Sequence, residues 1–243
     1  MRVAALYDVH GNLPALEAVL ADVEREGVDA IVSGGDVVAG GPFPLETFEL
    51  LRALGDRVVW VRGNGDREWA PRGEGIWGER TVWAAAHLHH DERQFLHDLP
   101  DSETLELDGL GSVLFCHATP RSDDEILTEA SPESRWRDAL AGVEADVVVC
   151  GHIHMQSDRE IAGKRVVNAG SVGMPYEGRP GAYWALLGPD VELRRTEYDL
   201  QAAADRMLAT GLPAVEEHVE ENVLASPTRE EATAYFEELA AEP

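Results

Sequence analysis

Tyr7-Asp8-Val9-His10-Gly11-Asn12 closes the first apolar run of the chain, Val3-Ala4-Ala5-Leu6, with an acid and an imidazole two residues apart. Residues i and i+2 of an extended segment point to the same side, so Asp8 and His10 can converge on one metal ion just past the strand. In open α/β sheets, ligands bind at that carboxyl edge. Alone, the same residues read equally well as a helix cap and a surface histidine. The decision rests on how the later strands end.

Outward from this turn, the pattern is strand, helix, strand, helix, strand. Leu13, Leu16, Val19, Leu20 and Val23 recur at helical spacing. Asn12 suits the N-cap, Pro14 the first turn and Gly27 the stop. Ala30 to Ser33 reads as a buried strand closing in Gly34-Gly35-Asp36, and Pro44 to Leu54 as a helix. Val58 to Val61 is a third strand, ending in Arg62-Gly63-Asn64-Gly65-Asp66. The alternation predicts a parallel α/β layer.

Beyond Arg67 the rhythm breaks. Trp69, Trp77 and Trp83 lie among charges and glycines, which predicts a partly helical lid over 67–99, with a short helix from Asp91 to Leu99. Thr104 to Leu107 and Val113 to Cys116 form a hairpin whose second strand stops at His117. Pro132 to Leu140 suits a helix, and Asp146 to Cys150 a buried strand ending in Gly151-His152-Ile153-His154. Further strands follow at Asp158 to Ile161, Arg165 to Val167, Ala182 to Leu187 and Val191 to Tyr198. Late helices at Leu200 to Thr210 and Arg229 to Ala241 belong to an acidic, peripheral tail over 200–243. No repeat or linker marks a boundary, so residues 1–243 are expected to form one domain.

The charge balance is unusual. Asp and Glu number 46 against 20 Lys and Arg, a formal net charge of −26. Such a field repels polyanions and argues against stable nucleic-acid binding. It also predicts self-repulsion that salt relieves. With two cysteines, Cys116 and Cys150, there is no disulfide framework. No charge-free apolar run is long enough to span a bilayer, and no basic-then-apolar leader opens the chain, so the expected compartment is the cytoplasm and no membrane partner is expected.

The strand ends decide the matter. They carry Asp8 and His10, then Asp36, Asn64, His117, His152 and His154: seven oxygen or imidazole donors at five termini. Imidazole suits borderline metals and carboxylate harder ones. A carboxylate between two strand ends can bridge two cations, the arrangement that clamps phosphoryl groups.

Asp8-Val9-His10, Gly35-Asp36, Gly63-Asn64-Gly65-Asp66, His117 and Gly151-His152-Ile153-His154 stand in the order and rough spacing of the calcineurin-like metallophosphoesterases. The chain resembles that family from Arg2 to about Tyr198. The resemblance implies a four-layer αββα sandwich of two mixed sheets flanked by helices. It implies two divalent metals, manganese first, with iron, zinc, nickel or cobalt as alternatives. One would sit on Asp8, His10, Asp36 and His154; the other on Asp36, Asn64, His117 and His152, with Asp36 as the bridge. Asp36, Asn64 and His117 are the catalytic residues implied, and the activity is hydrolysis of a phosphodiester or phosphomonoester by a hydroxide shared between the metals.

One position departs from the family. Many members carry after the asparagine a histidine that assists the leaving group; here it is Gly65. A small bacterial and archaeal branch looks similar, both there and in Asn168-Ala169-Gly170-Ser171-Val172-Gly173. His97, or one of His87, His89 and His90, can substitute by reaching over the site. Arg67 and Arg121, each just past a ligand motif, are the candidates for binding phosphate oxygens. The partner expected is a small phosphate ester, and a homo-oligomer is compatible with the sequence. The rival readings are a non-catalytic scaffold on the same fold, a protein phosphatase and a dinucleotide polyphosphate hydrolase.

Overall fold

A computed structural model describes residues 1–67 and 75–241. Its strands are β1 (Val3–Leu6), β2 (Ala30–Ser33), β3 (Val58–Trp60), β4 (Ser102–Leu107), β5 (Gly111–Cys116), β6 (Val147–Cys150), β7 (Ser157–Ile161), β8 (Lys164–Asn168), β9 (Ala182–Leu187) and β10 (Val191–Thr196). The helices are α1 (Leu13–Glu26), α2 (Pro44–Arg52), α3 (Asn64–Arg67), α4 (Ile76–Ala86), α5 (His90–His97), α6 (Glu133–Ala139), α7 (Leu200–Leu208), α8 (Val215–Val219) and α9 (Arg229–Leu239). A π-helical turn, Glu220–Leu224, continues α8.

Ten strands make two five-stranded mixed sheets, ordered β10-β9-β1-β2-β3 and β4-β5-β6-β8-β7. Each has a parallel run, β1-β2-β3 in one, extended on one side by antiparallel β9 and β10, and β5-β6-β8 in the other, flanked by antiparallel β4 and β7. Period-2 alternation then divides the core into layers. Val3, Ala5 and Tyr7 face inward against Phe115, Val149 and Val167 of the second sheet. Ala4 and Leu6 face outward, under Leu16, Val19 and Val23 of α1. On the far side Val148 and Cys150 pack on Trp136 of α6. This is the expected αββα sandwich. Tyr7 also ties the sheets together, its hydroxyl donating to the carbonyl of Val149 at 3.0 Å.

Local chemistry explains the ends of α1. The Asn12 side chain accepts from the Ala15 N–H, Pro14 occupies the first turn, and Gly27 at φ 62° closes the helix. Cys116 and Cys150 are free, buried thiols, and burial pushes Cys150 up to about 12. No described helix is long and apolar enough to cross a membrane.

Within the sheets the differences from expectation are confined to strand ends. β10 stops at Thr196, two residues short of the expected end. The stretch expected to form a lid holds α4 and α5, of which α5 packs Leu96 into the core beside Phe48, while Trp69 and the rest of 68–74 lie outside the described residues. The segment between α7 and α9 is not peripheral: Val215, Val219 and Val223 are buried on Ala203, Ala204 and Met207, with Trp83 of α4 packed against them. Its glutamates hide an apolar stripe, which is why composition alone misplaces it.

Candidate metal centre

The parallel strands β1, β2, β3, β5 and β6 deliver seven side chains to one edge, and the backbone aims them. Seven described non-glycine residues have clearly positive φ, and five are Asp8, His10, Asp36, His152 and His154. A left-handed residue costs about 1–2 kcal/mol each, so strain concentrated at strand ends marks a site the surrounding fold enforces. Gly35 serves the same turn at φ 99°, where a Cβ would stand 2.6 Å from His117 Nδ1.

Three imidazoles are fixed by their outer nitrogens. His10 Nδ1 lies 2.7 Å from the Ala39 carbonyl, His154 Nδ1 2.7 Å from that of Met174, and His117 Nδ1 2.9 Å from that of Gly34. A carbonyl only accepts, so each Nδ1 carries the proton and each Nε2 presents a lone pair inward. The Nε2 atoms of His10 and His154 then face each other at 3.2 Å. His117 Nε2 likewise faces Asn64 Oδ1 at 3.0 Å. Acceptors aimed at acceptors fit a cation between them.

Two buried carboxylates complete the cradle. One oxygen of Asp8 accepts the His152 N–H at 2.8 Å. The other, Oδ1, has no hydrogen-bond partner, yet lies 3.3 Å from His154 Nε2 and 3.8 Å from the Nε2 of both His10 and His117. Asp36 spans the same gap with an oxygen on each side, Oδ2 3.9 Å from His10 and Oδ1 3.7 Å from His117. Asp8, His10 and His154 make one ligand triad; Asp8, Asp36 and His117 make another. Asp8 is therefore the residue common to the two triads, while Asp36 belongs to one of them and turns its other oxygen toward His10. His152 Nε2 is buried without a partner, its ring 5.1 Å from that of His117.

The electrostatics agree with this donor set. Burial alone would raise Asp8, but the charges of His154, His117 and His10 outweigh it and hold it well below the usual carboxylate range. Burial would lower His117, yet Asp36 and Asp8 raise it. Burial and then His154 lower His10, and burial and then His117 bring His152 down to about 4. A cation supplies the positive charge the carboxylates otherwise draw from protonated imidazole.

Asp66, part of the sequence motif but not expected to act, is what holds the turns in place. It accepts the N–H of Asp36 at 2.8 Å, of Gly63 at 3.0 Å and of Val37 at 3.2 Å. Burial, then Asp36, pushes it up to about 7 against those bonds. At Gly65 the backbone N–H donates to Asp36 Oδ1 at 2.7 Å. A Cβ there would fall 2.4 Å from Ala39 Cβ, so the place of the family's histidine is closed.

The arginines are engaged elsewhere. Arg67 pairs with Asp123 at 3.1 Å and Asp124 at 3.3 Å. Arg121 holds Glu125 in a fork at 2.9 and 2.5 Å. Of the other histidines, His97 Nδ1 reaches the Arg67 carbonyl at 2.8 Å and His87 Nδ1 that of Trp83 at 2.8 Å. His89 and His90 are exposed where α5 begins. His218 is different: on α8 it is 1% exposed, with Nδ1 unpartnered. Burial, then Arg80 and His10, bring it down to about 3. Trp77 meets His10 edge-on at 5.5 Å, and Tyr176 stacks on His154 at 4.8 Å. The sequence marks Trp77 only as one of the tryptophans of the 67–99 stretch and gives no signal for Tyr176 or His218; each placement depends on packing between distant segments.

Comparison with known proteins converges on one family. The family model described as "Calcineurin-like phosphoesterase superfamily domain" matches residues 1–188. A metallophosphoesterase structure from Sphaerobacter thermophilus superposes with a TM-score of 0.72 at 29% identity, covering 93% of this chain and 99% of that one. An uncharacterised protein of Methanocaldococcus jannaschii is 27% identical over 241 residues, 87% of this chain and 93% of its own length. Phosphodiesterase YfcE of Escherichia coli is 36% identical over 76 residues, 28% of this chain and 41% of its own length.

Proposed function

The chain belongs to the calcineurin-like phosphoesterase superfamily, and from that premise we propose that it is a metal-dependent phosphoesterase hydrolysing a small phosphodiester or phosphomonoester. The observation that carries this reading is the inward aim of three Nε2 lone pairs at two buried carboxylates. Asp8, His10, Asp36 and His154 would hold one divalent cation, and Asp36, Asn64, His117 and His152 the other. When bound, the cations supply an activated water as nucleophile and neutralise charge on the phosphoryl oxygens.

The chain's own residues set the rest. Asp36 ties the halves of the cradle together, and Asn64 contributes a neutral oxygen, keeping the charge of the second half low. Its turn is held by the Gly65 N–H, which directs one Asp36 oxygen. No side chain at position 65 can protonate the departing oxygen. Without such an acid, ~10²–10⁴-fold is lost for poor leaving groups. Aryl esters are therefore expected to be hydrolysed much faster than alkyl esters. All seven ligand positions are filled, which favours an enzyme over a scaffold, and the net charge of −26 favours a small ester over nucleic acid.

The test is metal content measured beside hydrolysis of bis-p-nitrophenyl phosphate with added Mn²⁺. Asp36→Asn is expected to lose most of both together. Wild-type metal content and rate in that variant would overturn the two-cation reading.

A further inference from the structure

Beside the Asp8–His10–His154 triad lies a cavity of about 690 Å³ that this chemistry leaves unused; Arg80, Met174, Tyr176, Glu217, Glu221 and Tyr235 are among its lining residues. Its volume is that of a small-molecule site. It shares walls with the cradle. Tyr176 stacks on His154, and the Met174 carbonyl receives the His154 Nδ1 proton. Arg80 sits one helical turn along α4 from Trp77, which covers His10.

The polarity of the cavity is specific. Its single arginine, Arg80, donates to the carbonyls of Pro213 at 3.0 Å and Ala214 at 2.8 Å, and its one positive charge faces three carboxylates on the wall. Of the three glutamates on the wall, Glu231 caps α9 by accepting the Thr228 N–H and hydroxyl. Glu217 reaches Arg80 only at 3.9 Å, and Glu221 makes no hydrogen bond or ion pair among the described residues. Tyr235, 59% exposed, and the half-buried Tyr176 both line it. The net charge scatters carboxylates over the whole surface. These two differ in rimming an apolar concavity with aromatic walls. A phosphate or nucleotide base-sugar-phosphate is repelled there, whereas an alkylammonium gains from both the carboxylates and the ring faces.

We propose that this cavity binds an organic cation, the substituted-ammonium end of the alcohol in a phosphodiester substrate, of the choline or ethanolamine type. The ester part rests on the phosphoesterase reading; cation binding does not.

Titration calorimetry of the intact chain would compare choline with 3,3-dimethylbutan-1-ol, its uncharged carbon isostere. Choline is expected to bind about tenfold more tightly. The double variant Glu217→Gln, Glu221→Gln, both at exposed positions, is expected to abolish that preference. In the same variant KM for p-nitrophenyl phosphorylcholine should rise about tenfold, with bis-p-nitrophenyl phosphate within about twofold. Equal affinity for the two alcohols, or a preference that survives the substitutions, overturns the proposal. Should no ester be hydrolysed while the choline preference appears and then vanishes in the variant, the cation site stands and the phosphoesterase reading falls.

Discussion

The floor of the site and its cover are built on different principles. On the floor, the candidate ligands follow parallel strands; left-handed backbone aims Asp8, His10, Asp36, His152 and His154, and carbonyl-bonded nitrogens fix the rings of His10, His117 and His154. The cover is assembled from α4, Tyr176, α8 and α9, where no local backbone feature dictates what a side chain meets. Trp77 reaches His10 across 67 positions only because α4 is wedged against the start of α8 through Arg80. The contrast teaches that the buried cradle is fixed by local backbone, whereas what covers it is fixed by packing between distant segments.

Substitutions on the two sides should separate in kind as well as size. Asp8→Asn removes the charge of the one residue common to both triads. The rate on bis-p-nitrophenyl phosphate should fall on the order of 10³-fold, matching the several kcal/mol a bound cation supplies. Asp66→Asn touches no metal but places an amide where three N–H groups donate. Mn²⁺ affinity, read by calorimetry, should drop about 10–100-fold, as for other outer-shell partners. If it is unchanged, the turns do not need their anchor.

The cover should answer through stability and KM. His218 is buried neutral, with its pKa lowered from 6.5 to about 3. Below pH 6.5 the unfolded chain takes up a proton the folded chain refuses, so stability falls as pH drops from 6.5 toward 3. Chemical denaturation should show His218→Gln less acid-sensitive than wild type by about 2 kcal/mol at pH 5. Equal slopes would mean that the histidine is not buried neutral. Trp77→Ala should raise KM severalfold and leave Mn²⁺ affinity alone; a loss of metal like that of Asp66→Asn would erase the distinction between floor and cover. The mildest effect is general: melting temperature should climb between low and molar salt as a net charge of −26 is screened.

The same contrast explains what the sequence disclosed. Strands with short apolar runs, capped by Asp-x-His or Gly-His-x-His, declare both the sheet and the ligand, because topology alone brings their ends together. Both sheets were legible for that reason, and so was the gathering of Asp8, His10, Asp36, His117 and His154 at one edge; their role as ligands stays a proposal. Asp66 was visible as a motif member, but its role as an anchor appears only when three N–H groups are seen to converge on it. Arg67 and Arg121 follow ligand motifs in sequence, yet in the structure they turn to Asp123, Asp124 and Glu125. Their assignment to substrate stays a proposal that Arg67→Ala would test through KM. His218 lies among glutamates that give no sign of burial; only the packing of α8 shows which face is inward. Gly65 announced a missing acid, and Ala39 shows why restoring a histidine there would need the neighbouring turn to move.

The most direct measurement is anomalous scattering from crystals of the Mn²⁺-loaded chain. Two peaks inside the cradle are expected, one against Asp8, His10 and His154 and one against Asn64, His117 and His152, with Asp36 between them. A map with no peak there, or with peaks only on the acidic surface, would contradict the two-cation centre.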